Sequence, residues 1–323
     1  MSARSSILEV LSDGNPRSTR EIANVVGLSP SAVHYQIEKL SRLGLDIMRI
    51  DRRDFCLRAP LRPLDRRTIL KYLAAHADPA AGRFYLREEI SSTSLFLLRQ
   101  RALVPGSVCV AERQTAGRGR RGRGWIATPF CNVLLSISWR LSCGAALISG
   151  LSLAAGIAVV RALADYGVSA RLKWPNDVVW QGRKLGGVLL DVRHEAHGSI
   201  FVVVGVGINA YIAPLDASKI TQPWADLTSI TATAVDRNRL VAQLVRRLRE
   251  TLHTFEHVGF GYFRQEWERL HIYNGQRVCI VAGAESVIGR VVGTDTRGAL
   301  RLQDENGGLR VFQCGDVRLR PMA

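Results

Sequence analysis

The chain has 323 residues, 47% of them hydrophobic, which is enough for a sizeable core and for more than one domain. Its formal net charge of +16 favours a polyanionic partner but does not predict the fold. The start lacks the apolar run of a signal peptide, and the most apolar stretch, residues 150–167, is interrupted by Arg161 and Asp165. We therefore predict no membrane segment and a buried helix at this stretch.

The six cysteines are scattered, and none lies at the spacing of a zinc site or a disulfide framework. This pattern favours a reducing cytosol and predicts no metal site. Only five of the 44 basic residues are lysines, so a compositional bias toward arginine explains much of the charge. Two of those lysines, Lys173 and Lys184, lie in one short segment where a compact ammonium is favoured over a planar guanidinium.

The first 62 residues predict a helix-turn-helix unit. Residues 5–13 and 18–26 carry apolar residues at helical spacing, and a third helix starts where Ser29 can cap and Pro30 suits the first position. Residues 46–60 resemble two short strands joined by a charged turn. Together these elements predict a winged helix.

The third helix is the candidate DNA reader of this unit. We expect it to face a major groove with Ser31, His34 and Tyr35, and to reach phosphate with Lys39. A helical dimerisation or regulatory module is the alternative, since such short patterns arise by chance. Through residue 60 the unit has nine basic and seven acidic residues, so it does not account for the charge of the whole protein.

A segment rich in proline and arginine at 58–67 indicates a domain boundary. The apolar runs 106–112 and 132–139 predict buried strands, residues 147–166 a helix, and residues 186–210 a hairpin-like pair of strands. We predict an α/β or α+β sheet domain over residues 63–272, which includes a helix at 237–257. Short strands with glycine turns over residues 273–323 predict a small barrel.

Residues 116–125, AGRGRRGRGW, follow a predicted strand and cannot hold their arginines in a regular element. Glycines let the backbone approach a ligand, while N–H groups and guanidinium forks can bind carboxylate or phosphate. The pattern is not a Walker A loop. A solvated or RNA-contacting tail is the alternative, and the position inside a sheet domain favours a ligand.

Residues 173–190, KWPNDVVWQGRKLGGVLL, bring an acid and a lysine together. Asp177 lies on a turn forced by Pro175, and Lys184 follows a second, glycine-containing turn. In a transfer to an amine, the acid can accept the amine proton while the lysine neutralises charge on an acyl phosphate. A structural hairpin with a surface ion pair is the alternative.

In combination these motifs resemble the bifunctional biotin protein ligase and biotin operon repressor family over essentially the whole chain. The matching segments are the helix-turn-helix, SSTS at 91–94, AERQTAGRGRRGRGW at 111–125, KWPNDVVWQGRKLGGVLLDV at 173–192, GVGINA at 205–210 and the terminal barrel. The resemblance implies an α+β protein with an N-terminal winged helix-turn-helix, a central mixed α/β sheet domain of the class II synthetase and biotin ligase type, and a C-terminal SH3-like barrel.

The resemblance also implies a reaction. Biotin and MgATP would give biotinyl-5′-adenylate and pyrophosphate, and the activated carboxyl would pass to a lysine of a biotin carboxyl carrier protein, a subunit of acetyl-CoA carboxylase. The adenylate-bound form would dimerise and bind operator DNA.

The resemblance places the catalytic roles on Lys184, Asp177, Arg118 and Arg120. The two arginines and the lysine would hold carboxylate and α-phosphate, and Asp177 would be the base for the incoming amine. The positions implied for biotin and nucleotide are Ser92, Thr93, Ser94, Gln114, Gly117, Arg118, Gly119, Arg120, Trp125, Lys184, Asn209 and Trp224. Ser92 and Gln114 would bond the ureido ring, Trp125 would anchor the loop, Asn209 would orient the nucleotide, and Trp224 would stack over adenine within residues 211–227.

Two positions depart from the family pattern. Ser94 replaces an asparagine, and the wing sequence DRRDF has no glycine. Two further hypotheses remain at this stage, a ligand-sensing repressor without turnover and a lipoate protein ligase. A further hypothesis, that the chain is an arginine-rich nucleic-acid-binding protein without catalysis, holds only if the agreement of the motifs is accidental.

Overall fold

The computed structural model describes residues 2–51, 53–58, 61–75, 82–100, 104–141, 148, 150–194, 200–282, 285–313 and 317–321. Cys143, Cys314 and the predicted wing residue Arg52 lie outside these ranges. The helices are α1 Ala3–Val10, α2 Thr19–Val26, α3 Pro30–Arg42, α4 Arg66–Ala74, α5 Thr93–Leu98, α6 Leu151–Ala164, α7 Pro214–Ala217, α8 Leu227–Thr231, α9 Arg237–Val258 and α10 Arg264–Leu270. No described helix is long and apolar enough to span a membrane.

The N-terminal unit consists of α1 to α3 and a sheet of the strands β1 Arg17–Ser18, β2 Ile47–Arg49 and β3 Asp54–Leu57. The helix boundaries follow from local chemistry. Ser18 forms a capping box with Glu21 at the start of α2, and α2 ends at Gly27, whose φ is 69°. Ser29 caps α3 and Pro30 occupies its first turn. The predicted helix-turn-helix is therefore confirmed, and β2 and β3 pair antiparallel as the strand pattern predicted.

The segment between this unit and the central domain is tightly held. The buried Leu64 donates its N–H to Glu112, and Asp65 donates its N–H to the side chain of Asn238 at 2.7 Å. Asp65 also caps α4, which begins inside the segment that we expected to be a boundary. Residues 59–60 of that segment lie outside the described ranges.

The central sheet has seven strands: β4 Phe84–Ile90, β5 Val108–Gln114, β6 Val133–Leu141, β7 Arg171–Lys173, β8 Asp177–Trp180, β9 Arg183–His194 and β10 Ile200–Ile208. Their order is β4-β5-β6-β10-β9-β8-β7, and the sheet is mixed because β4 and β5 are parallel while the other pairs are antiparallel. The predicted hairpin-like pair is β9 and β10. Buried apolar residues of the sheet pack against the core of α6 and α9.

The predicted helix at 147–166 is shorter in the structure, where α6 covers Leu151–Ala164. Eleven of its residues are buried, which is the burial expected of a helix that is apolar on nearly all sides. Residues 147 and 149 lie outside the described ranges. On another part of the sheet, Leu97 of α5 packs with Cys109, Phe201 and Val203.

The C-terminal part forms a five-stranded antiparallel sheet. Its strands are β11 Arg277–Ala282, β12 Glu285–Thr294, β13 Leu300–Asp304, β14 Leu309–Phe312 and β15 Val317–Pro321. Their order is β14-β13-β12-β11-β15. The predicted short strands are thus confirmed, as a small antiparallel sheet that packs its buried residues Val278, Ile280 and Leu302 into the main core.

Candidate active site

A cavity of about 250 Å³ opens on the central sheet. It is bordered by α5, the arginine-glycine loop, the starts of β8 and β9, and residues 219–224. The structure brings together these residues that the sequence singled out: Ser92, Thr93, Ser94, Gln114, Arg118, Gly119, Arg120, Trp125, Asp177, Lys184, Asn209 and Trp224. Gly117 is not part of the lining; its carbonyl accepts the N–H of Trp125 at 3.0 Å.

One side of the cavity carries a cluster of hydroxyl groups, which we call the hydroxyl cluster: Ser92, Thr93, Ser94 and Ser136. Gln114 lies beside it, and its Oε1 accepts from the N–H of Thr93 at 2.7 Å. The hydroxyl of Ser136 is 2.7 Å from that of Thr93 and 2.9 Å from that of Ser94. All four hydroxyl residues are buried, so the cluster can offer fixed donors and acceptors to a polar ring.

Sequence reasoning missed Ser136, although its place in the apolar run of β6 was visible. A buried hydroxyl on a strand requires a partner, and the departure at Ser94 supplies one. The side chain at position 94 also faces Gly205, where an added Cβ would lie 2.8 Å from the Ser94 hydroxyl oxygen. The space around Ser94 is therefore limited by the backbone of β10.

Trp125 closes a second wall against Gly207. A Cβ added at Gly207 would lie 2.7 Å from Cε2 and 2.8 Å from Cζ2 of the indole, which is closer than van der Waals contact permits. The Lys184 ammonium lies 5.6 Å from the centre of the Trp125 ring, a cation–π distance. Within the described part of the chain the buried indole N–H of Trp125 has no acceptor, so it can donate to a ligand.

The arginine-glycine loop is more ordered than the sequence suggested. We expected no regular element, but Arg120–Gly122 form a 3₁₀ turn in which Arg121 has a φ of 59°. Arg118 and Gly124 form an antiparallel bridge that closes the loop at its base. This short turn with its left-handed residue is not a regular helix, and it is held by backbone hydrogen bonds such as Gly119 N–H to Arg123 carbonyl at 2.7 Å.

Arg118 is anchored by a residue that sequence reasoning missed. Its Nη2 lies 2.7 Å from Oδ2 of Asp191, which belongs to strand β9 of the central sheet. This ion pair fixes one edge of the guanidinium and leaves donors for an anion in the cavity.

Asp177 and Lys184 form a direct ion pair, with Nζ 2.6 Å from Oδ1. The β8–β9 pairing places Asp177 opposite Gly187 and Val179 opposite Lys184, so the side chains of Asp177 and Lys184 come together across the two strands. Lys184 is 17% and Asp177 22% exposed, so neither is a fully solvated surface charge. The nearby Lys173 is opposite Asp177 across the β7–β8 pairing, and burial lowers the pKa of Lys173.

Asn209 and Trp224 lie where the last segment of the cavity wall meets β9. The Asn209 amide donates to the carbonyl of Ala225 at 3.1 Å, and its backbone N–H donates to the carbonyl of Leu185. Lys184 and Trp224 form a parallel bridge. These contacts show Asn209 tying residues 224–225 to the strand that carries Lys184.

The described residues contain no group of three or more histidine, cysteine, aspartate or glutamate side chains that could hold a metal ion.

On α3 the four predicted DNA-reading residues have different surroundings. Ser31 and Lys39 are exposed, and the exposed Tyr35 stacks under the Lys39 ammonium at 5.5 Å. His34 instead contacts the Phe55 ring edge at 5.6 Å, and its Nε2 lies 3.4 Å from Glu38. Ser31, Tyr35 and Lys39 therefore lie on the solvent-exposed face of α3, whereas His34 packs partly against Phe55 of the small sheet.

Comparison with known proteins defines the class of protein that carries this fold and cavity. The sequence model of the Biotin/lipoate A/B protein ligase family matches residues 86–209, which include most of the cavity lining. A second model, Bacterial regulatory protein, arsR family, matches residues 2–45, the helix-turn-helix. The fold is thus a protein ligase domain preceded by a helix-turn-helix unit.

Individual relatives extend the similarity over the whole chain. The Bifunctional ligase/repressor BirA of Escherichia coli (strain K12) is 33% identical over 97% of this chain and 96% of its own length. The Biotin--[acetyl-CoA-carboxylase] ligase of Mycobacterium tuberculosis is 33% identical over 79% of this chain and 95% of its own. The solved biotin protein ligase from Aquifex aeolicus in complex with biotin and ATP covers 74% of this chain and 99% of its own, at 28% identity and a TM-score of 0.63. The chain belongs to the biotin protein ligase family, which includes these bifunctional ligase/repressors.

Proposed function

We propose that this chain is an ATP-dependent biotin ligase that biotinylates a lysine of a biotin carboxyl carrier protein. In the first step a carboxylate oxygen of biotin attacks the α-phosphorus of ATP, the bond to pyrophosphate breaks, and biotinyl-5′-adenylate forms. In the second step the carrier amine attacks the acyl carbon, a C–N bond forms, and AMP leaves with the electron pair. The observation that carries the proposal is the Asp177–Lys184 pair beside a buried hydroxyl cluster in one cavity.

Lys184 and the loop arginines act on charge. The Lys184 ammonium, together with Arg118 and Arg120, neutralises the carboxylate and the α-phosphate as they approach each other. Support comes from their shared place in the cavity lining and from the fixed orientation of Arg118 on Asp191.

Asp177 is the base of the second step. Its carboxylate receives the proton that the acceptor amine loses, and its 2.6 Å contact with Lys184 keeps it beside the reacting carboxyl. When Lys184 turns to the phosphate, the freed Oδ1 of Asp177 is open to the amine.

The hydroxyl cluster and Gln114 recognise the ureido ring of biotin, and Trp125 and Gly207 flank its bicyclic part. Asn209 and Trp224 position the nucleotide, Asn209 by holding the Trp224 segment on β9 and Trp224 by stacking on adenine. Mg²⁺ bound to the phosphates of ATP would neutralise part of their charge.

We divide the chain into a winged helix-turn-helix over residues 1–62, a catalytic domain over 63–272 and an SH3-like barrel over 273–323. The first unit binds operator DNA through Ser31, His34, Tyr35 and Lys39, with the β2–β3 hairpin as wing. The adenylate-bound form dimerises, so that two such units bind one operator and repress transcription of biotin synthesis genes. ATP consumption favours the cytosol, as do the free thiols of Cys56, Cys109, Cys131 and Cys279 among the described residues.

The test is carrier labelling. Incubated with biotin, MgATP and a biotin carrier domain, the protein will release pyrophosphate and add one biotin to the carrier, and it will add no lipoate when lipoate replaces biotin. Lys184→Ala will lose adenylate formation by a factor of about 100 or more, since a charge-assisted contact inside the reacting centre is removed. Its matched control is Lys71→Ala on α4, an exposed lysine outside the cavity, which will keep full activity.

With lipoate in place of biotin and a lipoyl carrier domain added, a lipoate ligase would release pyrophosphate and attach lipoate to that carrier. A sensor without turnover would bind biotin and release no pyrophosphate. Either result contradicts the proposal. A DNA-binding assay with adenylate, comparing wild type with Tyr35→Ala, separately tests the first unit.

A further inference from the structure

Three of the basic side chains that line the cavity each pair with a carboxylate. Arg118 pairs with Asp191 and Lys184 pairs with Asp177, at 2.7 and 2.6 Å. The third cation is Lys219, whose Nζ lies 2.9 Å from Oδ1 of Asp216. The first two belong to the site described above, and Lys219 has no role in it. It is also one of only five lysines in an arginine-dominated sequence.

Lys219 is placed to meet a ligand. It lines the cavity together with Ile220, Thr221 and Gln222, and 53% of its side chain remains exposed. The segment that carries it is bonded to β9 beside Lys184: the Lys184 N–H donates to the carbonyl of Pro223, and Ala225 donates to the carbonyl of Lys184, both at 2.9 Å. Lys219 therefore belongs to the wall that is attached at Lys184 and not to the hydroxyl cluster.

Asp216 is a fixed anchor for this lysine. Its side chain is only 10% exposed, and its second oxygen, Oδ2, accepts the hydroxyl of Thr128 at 2.8 Å. Thr128 in turn accepts the N–H of Ala213 at 3.0 Å, so Thr128 holds both the residue before α7 and Asp216 within it. A flexible lysine loses less conformational freedom on binding when its head is already positioned in this way.

We propose that Lys219 binds the β- and γ-phosphates of ATP and that Asp216 is the positioning residue that presents it. The inference rests on the proposed function, because it concerns the nucleotide of that reaction. ATP carries several negative charges beyond the α-phosphate that Lys184, Arg118 and Arg120 serve, and a compact ammonium suits a phosphate oxygen as a point charge. Biotinyl-5′-adenylate lacks these two phosphates, so Lys219 loses its ligand when pyrophosphate leaves.

The test measures ATP and pyrophosphate separately from biotin. In the pyrophosphate-release assay Lys219→Met will raise the KM for ATP about tenfold, the loss expected for one charge-assisted hydrogen bond, and will leave the KM for biotin unchanged. Added inorganic pyrophosphate will inhibit this variant about tenfold less strongly. Lys219→Arg will restore ATP binding to within about threefold, because the charge remains. Lys71→Met is the matched control and will change neither constant.

Asp216→Asn will raise the KM for ATP in the wild-type background and will add nothing in the Lys219→Met background, as expected if it acts through Lys219. A purely structural ion pair would instead lower the midpoint of urea unfolding in Lys219→Met and leave the ATP and pyrophosphate constants at wild-type values, which overturns the inference. An equal loss of biotinyl-adenylate affinity would also overturn it, since it places Lys219 on the adenylate itself. A wild-type protein that releases no pyrophosphate would reject the proposed function and not this assignment.

Discussion

Single glycines decide the shape of the cavity. Gly205 and Gly207 both lie on β10, and each leaves room for a side chain from another element, Ser94 in one case and Trp125 in the other. Neither glycine has a left-handed φ, so their role is close approach and not backbone freedom. The glycines of GVGINA in the sequence thus mark the places where neighbouring groups touch the strand.

Gly207→Ala will damage the biotin side of the cavity. The new methyl group would overlap the Trp125 indole, and overpacking of this kind typically costs about 1–3 kcal/mol. We expect the KM for biotin in pyrophosphate release to rise about tenfold while circular dichroism still shows the folded protein. Gly261→Ala is the control, since a Cβ there has no neighbour within 4 Å. Equal KM values for the two variants would show that Trp125 does not depend on Gly207.

Sequence motifs identify ligand residues that lie close together in the chain. Nearly all predicted ligand positions line one cavity because they belong to contiguous motifs whose spacing is preserved by strands and tight turns. Ser136 and Asp191 were not identified, since each lies in an ordinary strand and gains a role only from a neighbour distant in sequence. Lys219 was not identified because its pairing with Asp216, three residues before it, has the pattern of an ordinary surface ion pair. The pairing of Arg118 with Asp191 spans 73 positions of the chain, and no local pattern indicates it.

The arginine-glycine loop, as a structural element, is held in place by contacts at its base. The Arg118–Gly124 bridge pairs the two ends of the loop with each other, and the Arg118–Asp191 ion pair joins the loop to β9. The remaining arginines lie on the 3₁₀ turn and beside it, where they are at least partly exposed. The Arg118–Asp191 ion pair therefore helps to hold the loop against the sheet.

Asp191→Asn will accelerate the dissociation of biotinyl-5′-adenylate. The neutral amide no longer orients Arg118, and loss of a partly exposed ion pair of this geometry is worth about 1 kcal/mol, or roughly fivefold in rate. Stopped-flow fluorescence of the enzyme–adenylate complex gives the rate. Glu89→Gln is matched to it, because Glu89 pairs with Arg113 at 2.6 Å on β4 and β5, outside the cavity lining. An unchanged dissociation rate of biotinyl-5′-adenylate in Asp191→Asn would show that Asp191 does not anchor the loop.

The whole molecule is joined by buried polar contacts as well as by apolar packing. Arg237 at the start of α9 pairs with Glu112 of β5 at 2.6 Å, with both side chains 3% exposed. The same Glu112 receives the N–H of Leu64, and Arg237 donates to the carbonyl of Arg62. The apolar core of the N-terminal unit continues into Phe130 and Tyr211 of the central domain. The two parts therefore pack as neighbours and are not joined only by a flexible linker.

His271 belongs to the junction with the C-terminal sheet. It is buried, stacks on Trp267 at 4.6 Å and meets the Tyr273 ring edge-on. Neither ring nitrogen has a hydrogen-bond partner among the described residues, and burial lowers the pKa of His271 from its ordinary value of 6.5 to about 3. At a pH between about 3 and 6.5 the ring is therefore neutral in the folded protein, whereas the unfolded chain binds a proton there.

The stability of the protein will consequently fall in mild acid. Between pH 6.5 and 3 the unfolded chain binds one proton more at His271 than the folded protein does. The contribution of the neutral ring to the free energy of unfolding is therefore fully present above pH 6.5, and it decreases by about 1.4 kcal/mol per pH unit below that pH. Urea unfolding at pH 7, 6 and 5 measures this slope. His271→Phe keeps the aromatic stacking and will remove most of the difference between pH 7 and 5. Parallel losses in both proteins would assign the acid sensitivity to other groups.

Local sequence patterns predicted the helix-turn-helix, the alternation of central strands and helices, the terminal strands, and the two motifs that supply Arg118, Asp177 and Lys184. These follow from local periodicity, capping residues and turn chemistry, which act over a few residues. Sequence patterns did not predict the strand order, the buried connection at Leu64 or the pairing of Arg118 with Asp191. Those features depend on packing and charge pairing between distant parts of the chain, and their energies exist only once the sheet has assembled.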